Sequence, residues 1–164
     1  EVHTFENKSI FTRLATRSIT VQEDAILLLY TARYEDYSLP GGGLDLGEDK
    51  VSGMVRELSE ETGATNINNI KPFGAYEEYR PWHKPDYDIQ YMISYCYTCE
   101  IDKELGSANL ESHEINNGMN AIWINIHEAI SHNIETMATS SKKGMSIERE
   151  TFLLQLIADR VVNK

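Results

Sequence analysis

Apolar positions along this chain switch between a strand-like and a helix-like period. Ala25-Ile26-Leu27-Leu28-Leu29-Tyr30 is an unbroken apolar run, as expected of a buried strand, and Phe11 to Val21 mixes apolar and polar positions as a preceding strand would. Gln22-Glu23-Asp24 makes the turn between them. Val51, Met54, Val55 and Leu58 then recur at i, i+3, i+4 and i+7, which predicts one apolar stripe of a helix. Asp49 suits its N-cap and Gly63 its stop. Further strands are predicted over 70–79, 88–101 and 121–124, with helices over 127–134 and 146–162. In the last helix Ile147, Leu153, Leu154, Ile157 and Val161 form the packing face. The polar stretch 102–120, broken at Gly106 and Gly118, reads as a loop of functional length, and 140–144 as a flexible loop. Strands and helices alternate without a strict βαβ rhythm, so a mixed α/β or α+β domain is expected.

Composition narrows the class. The 164 residues suit one domain, 1–164, able to bury a core without staples, and 41% hydrophobic with 25% charged residues fits a globular protein. A formal net charge of -11 argues against non-specific nucleic-acid binding, which needs basic surface. No apolar run is long enough to span a membrane and no basic-then-apolar leader opens the chain, so a cytoplasmic location is expected. Cys96 and Cys99 lie in a strand pattern, where residues three apart face opposite ways, so they are read as ordinary strand cysteines and not as a redox or zinc pair.

The candidate chemistry lies at the end of the first helix. Glu57, Glu60 and Glu61 at i, i+3 and i+4 share an arc of about 100°. Like charges so spaced cost a few tenths of a kcal/mol per pair, and near a helix C-terminus they also oppose the dipole. A hard divalent cation such as Mg²⁺ would remove that penalty, and it is often completed by substrate phosphates. Just before the helix, Leu39-Pro40-Gly41-Gly42-Gly43 reads as a strand ending in a sharp glycine turn that can approach a ligand closely.

Gly42, Glu48, Arg56-Glu57-Leu58, Glu60-Glu61 and Gly63-Ala64, in that order and at those spacings, resemble the Nudix box of the Nudix hydrolases. Ala64 is smaller than the usual aliphatic residue there, and Gly53 stands where alanine is common. The resemblance implies an α/β fold, an α/β/α sandwich with a mixed sheet. It also implies metal-dependent hydrolysis of a nucleoside diphosphate linked to another moiety, with Mg²⁺ or Mn²⁺ as cofactor and a small-molecule nucleotide as partner. It carries metal-ligand roles onto Glu57, Glu60, Glu61 and the Gly42 carbonyl. Arg56 would orient a box carboxylate and Glu48 would pair within the box. The base would be a box glutamate or a later loop glutamate, Glu114 or Glu111, with Glu114 preferred because Ile115 would anchor it.

Substrate contacts are read from Arg33 and from the loop 80–86. Arg80 or Lys84 would meet phosphate and Trp82 would stack on a base, or else Trp82 covers the core edge of a hairpin. Arg33 reads as well as a solvated arginine, and His83 as a surface residue. Triphosphates and nucleotide sugars such as ADP-ribose both stay open as substrates, and a homodimer stays open as the assembly. The competing class is a nucleotide-binding sensor without turnover, which would be free to lose box carboxylates; none is lost here.

Overall fold

Ile26, Leu27, Leu28 and Leu29 are each no more than 1% exposed, so this strand is covered on both faces. In the computed structural model, which describes residues 8–162, it is β3 (Ala25–Thr31). Along it, antiparallel, run β8 (Met119–Asn125), β2 (Val21–Gln22) and β4 (Asp36–Ser38). A second sheet has the order β5-β1-β7-β6, formed by β5 (Gly41–Gly43), β1 (Ile10–Ile19), β7 (Ile89–Glu100) and β6 (Asn68–Pro81). Only β1 and β7 are parallel in it, so the sheet is mixed.

Helices close both sides. Met54 and Leu58 of α1 (Lys50–Thr62) pack with Leu27, Tyr97 and Cys99. On the opposite side Ile126 and Ala129 of α3 (Ile126–Thr139) and Leu153, Leu154 and Ile157 of α4 (Ile147–Ile157) pack with Ile26, Leu28, Leu39 and Cys96. Each such fully buried side chain contributes about 1.5–3 kcal/mol relative to an exposed one. The expected α/β/α sandwich with a mixed sheet is therefore present. Cys96 and Cys99 fall in different core clusters, on opposite faces of β7, as the strand reading required.

Several details differ from the sequence expectations. Gly41–Gly43 is an extended strand, paired with Ala15–Arg17, and not a sharp turn, because β1 offers an open edge. The stretch 102–120 contains a short helix, α2 (Ser112–Asn116), set by backbone bonds too local to leave an apolar pattern. Val51 is exposed, whereas Glu61, expected on a solvent-facing neighbour of the packing stripe, is only 3% exposed. The last helix is α-helical only to Ile157, and a π-helical turn (Ala158–Val162) completes it. Among the described residues no helix is long and apolar enough to cross a membrane. Residues 1–7 and 163–164 of the expected domain lie outside the described residues.

Candidate active site

The glycine strand brings backbone against the box carboxylates. Gly41 has φ 150°, and a Cβ there would lie 1.9 Å from the Thr16 carbonyl oxygen, so only glycine fits. Its N–H donates to Glu61 Oε1 at 2.7 Å. At Gly42 a Cβ would sit 3.0 Å from Glu57 Oε1, so the absent side chain is what allows strand and carboxylate to meet. Asp49 caps α1 through Ser52 N–H, and Gly63, in the left-handed conformation, ends it, both as the sequence predicts.

Arg56 organises the neighbouring acids. Its Nε and Nη2 donate to Glu48 at 2.7 and 2.9 Å, a bidentate pair, and its Nη1 donates to Glu57 Oε1 at 3.1 Å and reaches Glu60 Oε2 at 3.5 Å. The Arg56 bond and the Asp45 N–H hold Glu48 down at about 2, well below the usual carboxylate range. The expected pairing of Glu48 within the box and the contact of Arg56 with Glu57 are both seen.

Glu114 joins this group through a route that begins at the end of α1. Gly106 N–H donates to the Gly63 carbonyl at 2.6 Å and Asn109 N–H to the Glu60 carbonyl at 2.7 Å, so the loop satisfies carbonyls that the helix terminus leaves open. The chain then enters α2, where Glu111 N–H donates to Glu114 Oε1 at 2.9 Å. Glu114 is buried and its carboxyl is hydrogen-bonded to Glu61. Ile115 does not anchor it; that side chain is exposed, and the backbone bonds do the holding. Glu111 is not brought to the cluster, since its side chain is exposed beside His113.

Electrostatics sharpen the picture. Burial, the Glu114 hydrogen bond and the charge of Glu57 push Glu61 up to about 10, against the opposing Gly41 N–H. Burial also raises Glu57, with Arg56 opposing and Glu60 and Glu114 adding to the rise. Two carboxyls in hydrogen-bond contact require a proton or a cation between them. Among the described residues no three His, Cys, Asp or Glu side chains form a ready-made metal cage. The donor set of Glu57, Glu61 and Glu114, with Glu60 beside it and glycine backbone against it, consists of hard oxygens of the kind Mg²⁺ and Mn²⁺ take while keeping waters.

Beside the carboxylates lies a cleft of about 500 Å³, bordered by Gly41–Gly43, Glu61, Arg80 and Trp82. Of the four residues expected to touch substrate, Arg80 and Trp82 are there. Arg33 and Lys84 do not border it: Arg33 donates to Asn117 Oδ1 over the Tyr34 ring, and Lys84 is exposed in the loop beyond Trp82. Trp82 combines both readings offered for it, facing the cleft while its ring lies 4.8 Å from Phe11 and its Nε1 donates to Asp86. His83, read as a surface residue, borders the cleft with its ring 4.5 Å from that of Trp82.

Three cleft arginines escaped the sequence reading. Arg13 and Arg17 project from one face of β1, and Arg149 comes from α4. Among the described residues neither Arg13 nor Arg17 has a hydrogen-bonded or ion-paired partner, and Arg17 Nε is buried without an acceptor. Burial and the like charge of Arg149 lower Arg17 from its ordinary value, with Glu150 and Glu61 opposing. An anion in the cleft would relieve both effects. The available signal was the even spacing of the two arginines along a strand, which puts them on one face.

A family model described as NUDIX domain matches residues 12–146. The chain belongs to the Nudix hydrolase family. It is 30% identical over 73 residues to an RNA pyrophosphohydrolase of Ruthia magnifica subsp. Calyptogena magnifica, covering 44% of this chain and 40% of the relative. It is also 43% identical over 42 residues to an 8-oxo-(d)GTP phosphatase of Mycolicibacterium smegmatis, covering 26% of this chain and 13% of that one. The matches therefore span less than half of either curated relative. Among solved structures, a mutator MutT protein from Bacillus halodurans aligns with TM-score 0.60 at 18% identity, over 93% of this chain and 83% of that one. A NUDIX hydrolase from Nitrosomonas europaea aligns with TM-score 0.55 at 17% identity, over 84% and 95%. At these identities the two structures speak for the Nudix fold alone.

Proposed function

We propose that this Nudix protein is a metal-dependent pyrophosphohydrolase whose substrate is a nucleoside diphosphate linked to a further group, with a nucleoside triphosphate favoured over a nucleotide sugar. The observation that carries this reading is the juxtaposition of the Glu57, Glu61 and Glu114 carboxyls with a cleft holding Arg13 and Arg17 unpaired. Carboxylates alone would repel a polyphosphate, and arginines alone would bind it without cleaving it. Relatives named as an RNA pyrophosphohydrolase and an 8-oxo-(d)GTP phosphatase support a nucleotide as substrate.

In this reading Arg13 and Arg17 hold phosphate oxygens, and Arg80 flanks them. Glu57, Glu60, Glu61 and the Gly42 carbonyl would hold Mg²⁺ or Mn²⁺, which supplies neutralisation of phosphate charge and a more acidic bound water. Arg56 keeps Glu57 in place through the 3.1 Å bond while Glu48 fixes Arg56 from behind. Glu114 accepts the proton from water as its oxygen bonds to phosphorus and the phosphoric anhydride P–O bond breaks, releasing two phosphorylated products. The box retains every carboxylate, which favours turnover over a sensing role.

The test is product release from triphosphates, ADP-sugars, dinucleotides and dinucleoside polyphosphates with Mg²⁺, Mn²⁺ or chelator. Metal-dependent turnover of triphosphates is expected. Nucleotide binding without turnover of any class would favour the sensor. Trp82→Ala should raise KM by roughly tenfold or more with kcat nearly kept, as loss of one base–aromatic stack would. A variant that loses stability and keeps KM would instead assign Trp82 to covering Phe11.

A further inference from the structure

Away from the catalytic cleft, β6 forms an open edge. Among the described residues it pairs with β7 alone, and no strand lies along its other side. Its irregularities sit at its ends: the register slips between Asn68 and Lys71 and again between Pro72 and Gly74, and Pro81 closes the strand. From Gly74 to Arg80 the pairing is unbroken, so this stretch presents a regular row of backbone donors and acceptors, the template a further strand needs. Gly74 opens that run without a reason inside the chain. Its φ is not positive, and a Cβ there would meet nothing within 4 Å. A strand glycine so placed suits a site that another backbone approaches closely.

Beside this edge, on the side of α4, lies an apolar groove of about 130 Å³ walled by Phe73, Tyr76, Cys96 and Leu156. Phe152 stands at its rim, 51% exposed, with its ring 5.7 Å from that of Tyr76. A groove and a knob on one surface are what a twofold interface uses, since each copy then supplies the knob for the other. Charge is arranged in the same way. Glu148 lies at the start of α4, and Arg160 lies past its end and borders the groove. Both are exposed, and among the described residues neither is in an ion pair.

We propose that β6 and α4 form the surface by which two copies of this chain associate, the β6 edges pairing antiparallel about Tyr76 into one continuous sheet. With Tyr76 opposite itself, Gly74 faces Glu78 of the second copy and Ala75 faces Glu77, so a small residue meets a long one on each face of the sheet. The next register along the strand sets Glu77 against Glu77, and the one after it Glu78 against Glu78, like charges directly opposed. Registers in the other direction run into the bulge at Pro72. The same twofold runs α4 antiparallel to its counterpart. Phe152 of each copy then enters the groove of the other beside Leu156, and Glu148 of each comes toward Arg160 of the other, which gives an apolar centre with a charged rim. A strand from an unrelated chain would not need knob, groove and charges to be arranged about one point. A second copy does.

The test is sedimentation velocity of the full chain from micromolar concentration upward, with hydrogen exchange followed along β6. Wild type should pass from monomer to dimer, and the amides between Gly74 and Arg80 should gain protection as the dimer fills. Phe152→Asp should raise the dissociation constant by roughly a hundredfold or more, as loss of a central apolar anchor from both copies would. Gly74→Val gives a second route, because the open space there lets the monomer keep its fold while the edge is blocked; it too should be monomeric, with an unchanged far-ultraviolet spectrum. Glu148→Arg and Arg160→Glu should each weaken the dimer, and the two together should restore it. A wild type that stays monomeric throughout would overturn the proposal. So would a dimer that survives both Phe152→Asp and Gly74→Val, or one that forms without added protection along β6.

Discussion

Glu57→Gln is expected to lower kcat/KM on the best triphosphate by about a thousandfold or more while the protein stays folded. The carboxylate is half-buried against Gly42 and is held by Arg56, so its amide replacement fits the same space. What the amide lacks is charge. A neutral oxygen is a poor ligand for Mg²⁺, and the loss of one preorganised electrostatic contact to a reacting phosphate is commonly worth about a hundred- to a thousandfold by itself. Stability should respond in a way that separates the role from a structural one. Glu61 has its proton affinity raised from the ordinary 4.5 to about 10, so the native state without cation binds more protons than the unfolded chain between those values. Its stability therefore falls as pH rises through that window, and a bound divalent cation should restore it. Melting curves at pH 8 with and without Mg²⁺ should show stabilisation in wild type and much less in Glu57→Gln. Unchanged turnover, or an unchanged Mg²⁺ effect on melting, would remove Glu57 from the metal site.

The parts of this site that were legible in the sequence are those whose spacing is local. Glu57, Glu60 and Glu61 lie within five residues of one helix, and Asp49 and Gly63 mark its ends, so periodicity and capping chemistry were sufficient. Glu114 was legible as a candidate and not as a certainty of place, because what brings it to Glu61 is the docking of Gly106 and Asn109 on the carbonyls of α1, forty residues and more away. Glu111 and Glu114 look alike in sequence, and only the turn of α2 sends one inward and the other to solvent. Arg33 and Lys84 were chosen because they flank the glycine strand and the Trp82 loop, yet both stand in loops that turn away from the cleft, Arg33 bonded to Asn117 and Lys84 exposed. Arg13 and Arg17 were missed for the reverse reason: charged residues within strands read as solvent-facing until a second sheet is known to fold over them. The fold class was more secure, since it needs only the order of elements and the all-apolar β3.

Arg149→Met should be the most damaging substitution for stability, at about 3–5 kcal/mol, which for a domain of this size is roughly a 10 °C fall in melting temperature. A charged Arg149-Glu150 pair in a helix reads as solvated surface, but both side chains are buried. Arg149 Nε donates to Glu150 Oε2 at 2.7 Å and its Nη1 to Glu78 Oε2 at 2.8 Å, while Arg80 meets Glu78 Oε1 from the cleft side at 2.8 Å. Glu150 Oε1 in turn accepts the Leu39 N–H at 2.6 Å, two residues before Gly41 donates to Glu61. The network thus ties α4 to the strand backbone that supports the carboxylates. Burial would lower Arg149 and raise Glu78, yet the ion pairs win in both: Arg149 is raised and Glu78 is lowered. Methionine would leave Glu150 buried without its cation, with the Leu39 N–H left to offset the desolvation penalty. The sign of the pH effect follows from Glu78. Its folded value lies below its ordinary one, so its contribution is present above about 4.5 and is lost as pH falls through the folded value. Arg149→Met should flatten that acid limb. Adding Glu150→Gln to Arg149→Met should recover part of the loss, because the orphaned charge is then gone, and denaturant unfolding of the two single variants and the double variant measures the coupling. A loss under about 1 kcal/mol in Arg149→Met, or strict additivity in the cycle, would mean that the buried pair is not what holds α4 against the catalytic strand.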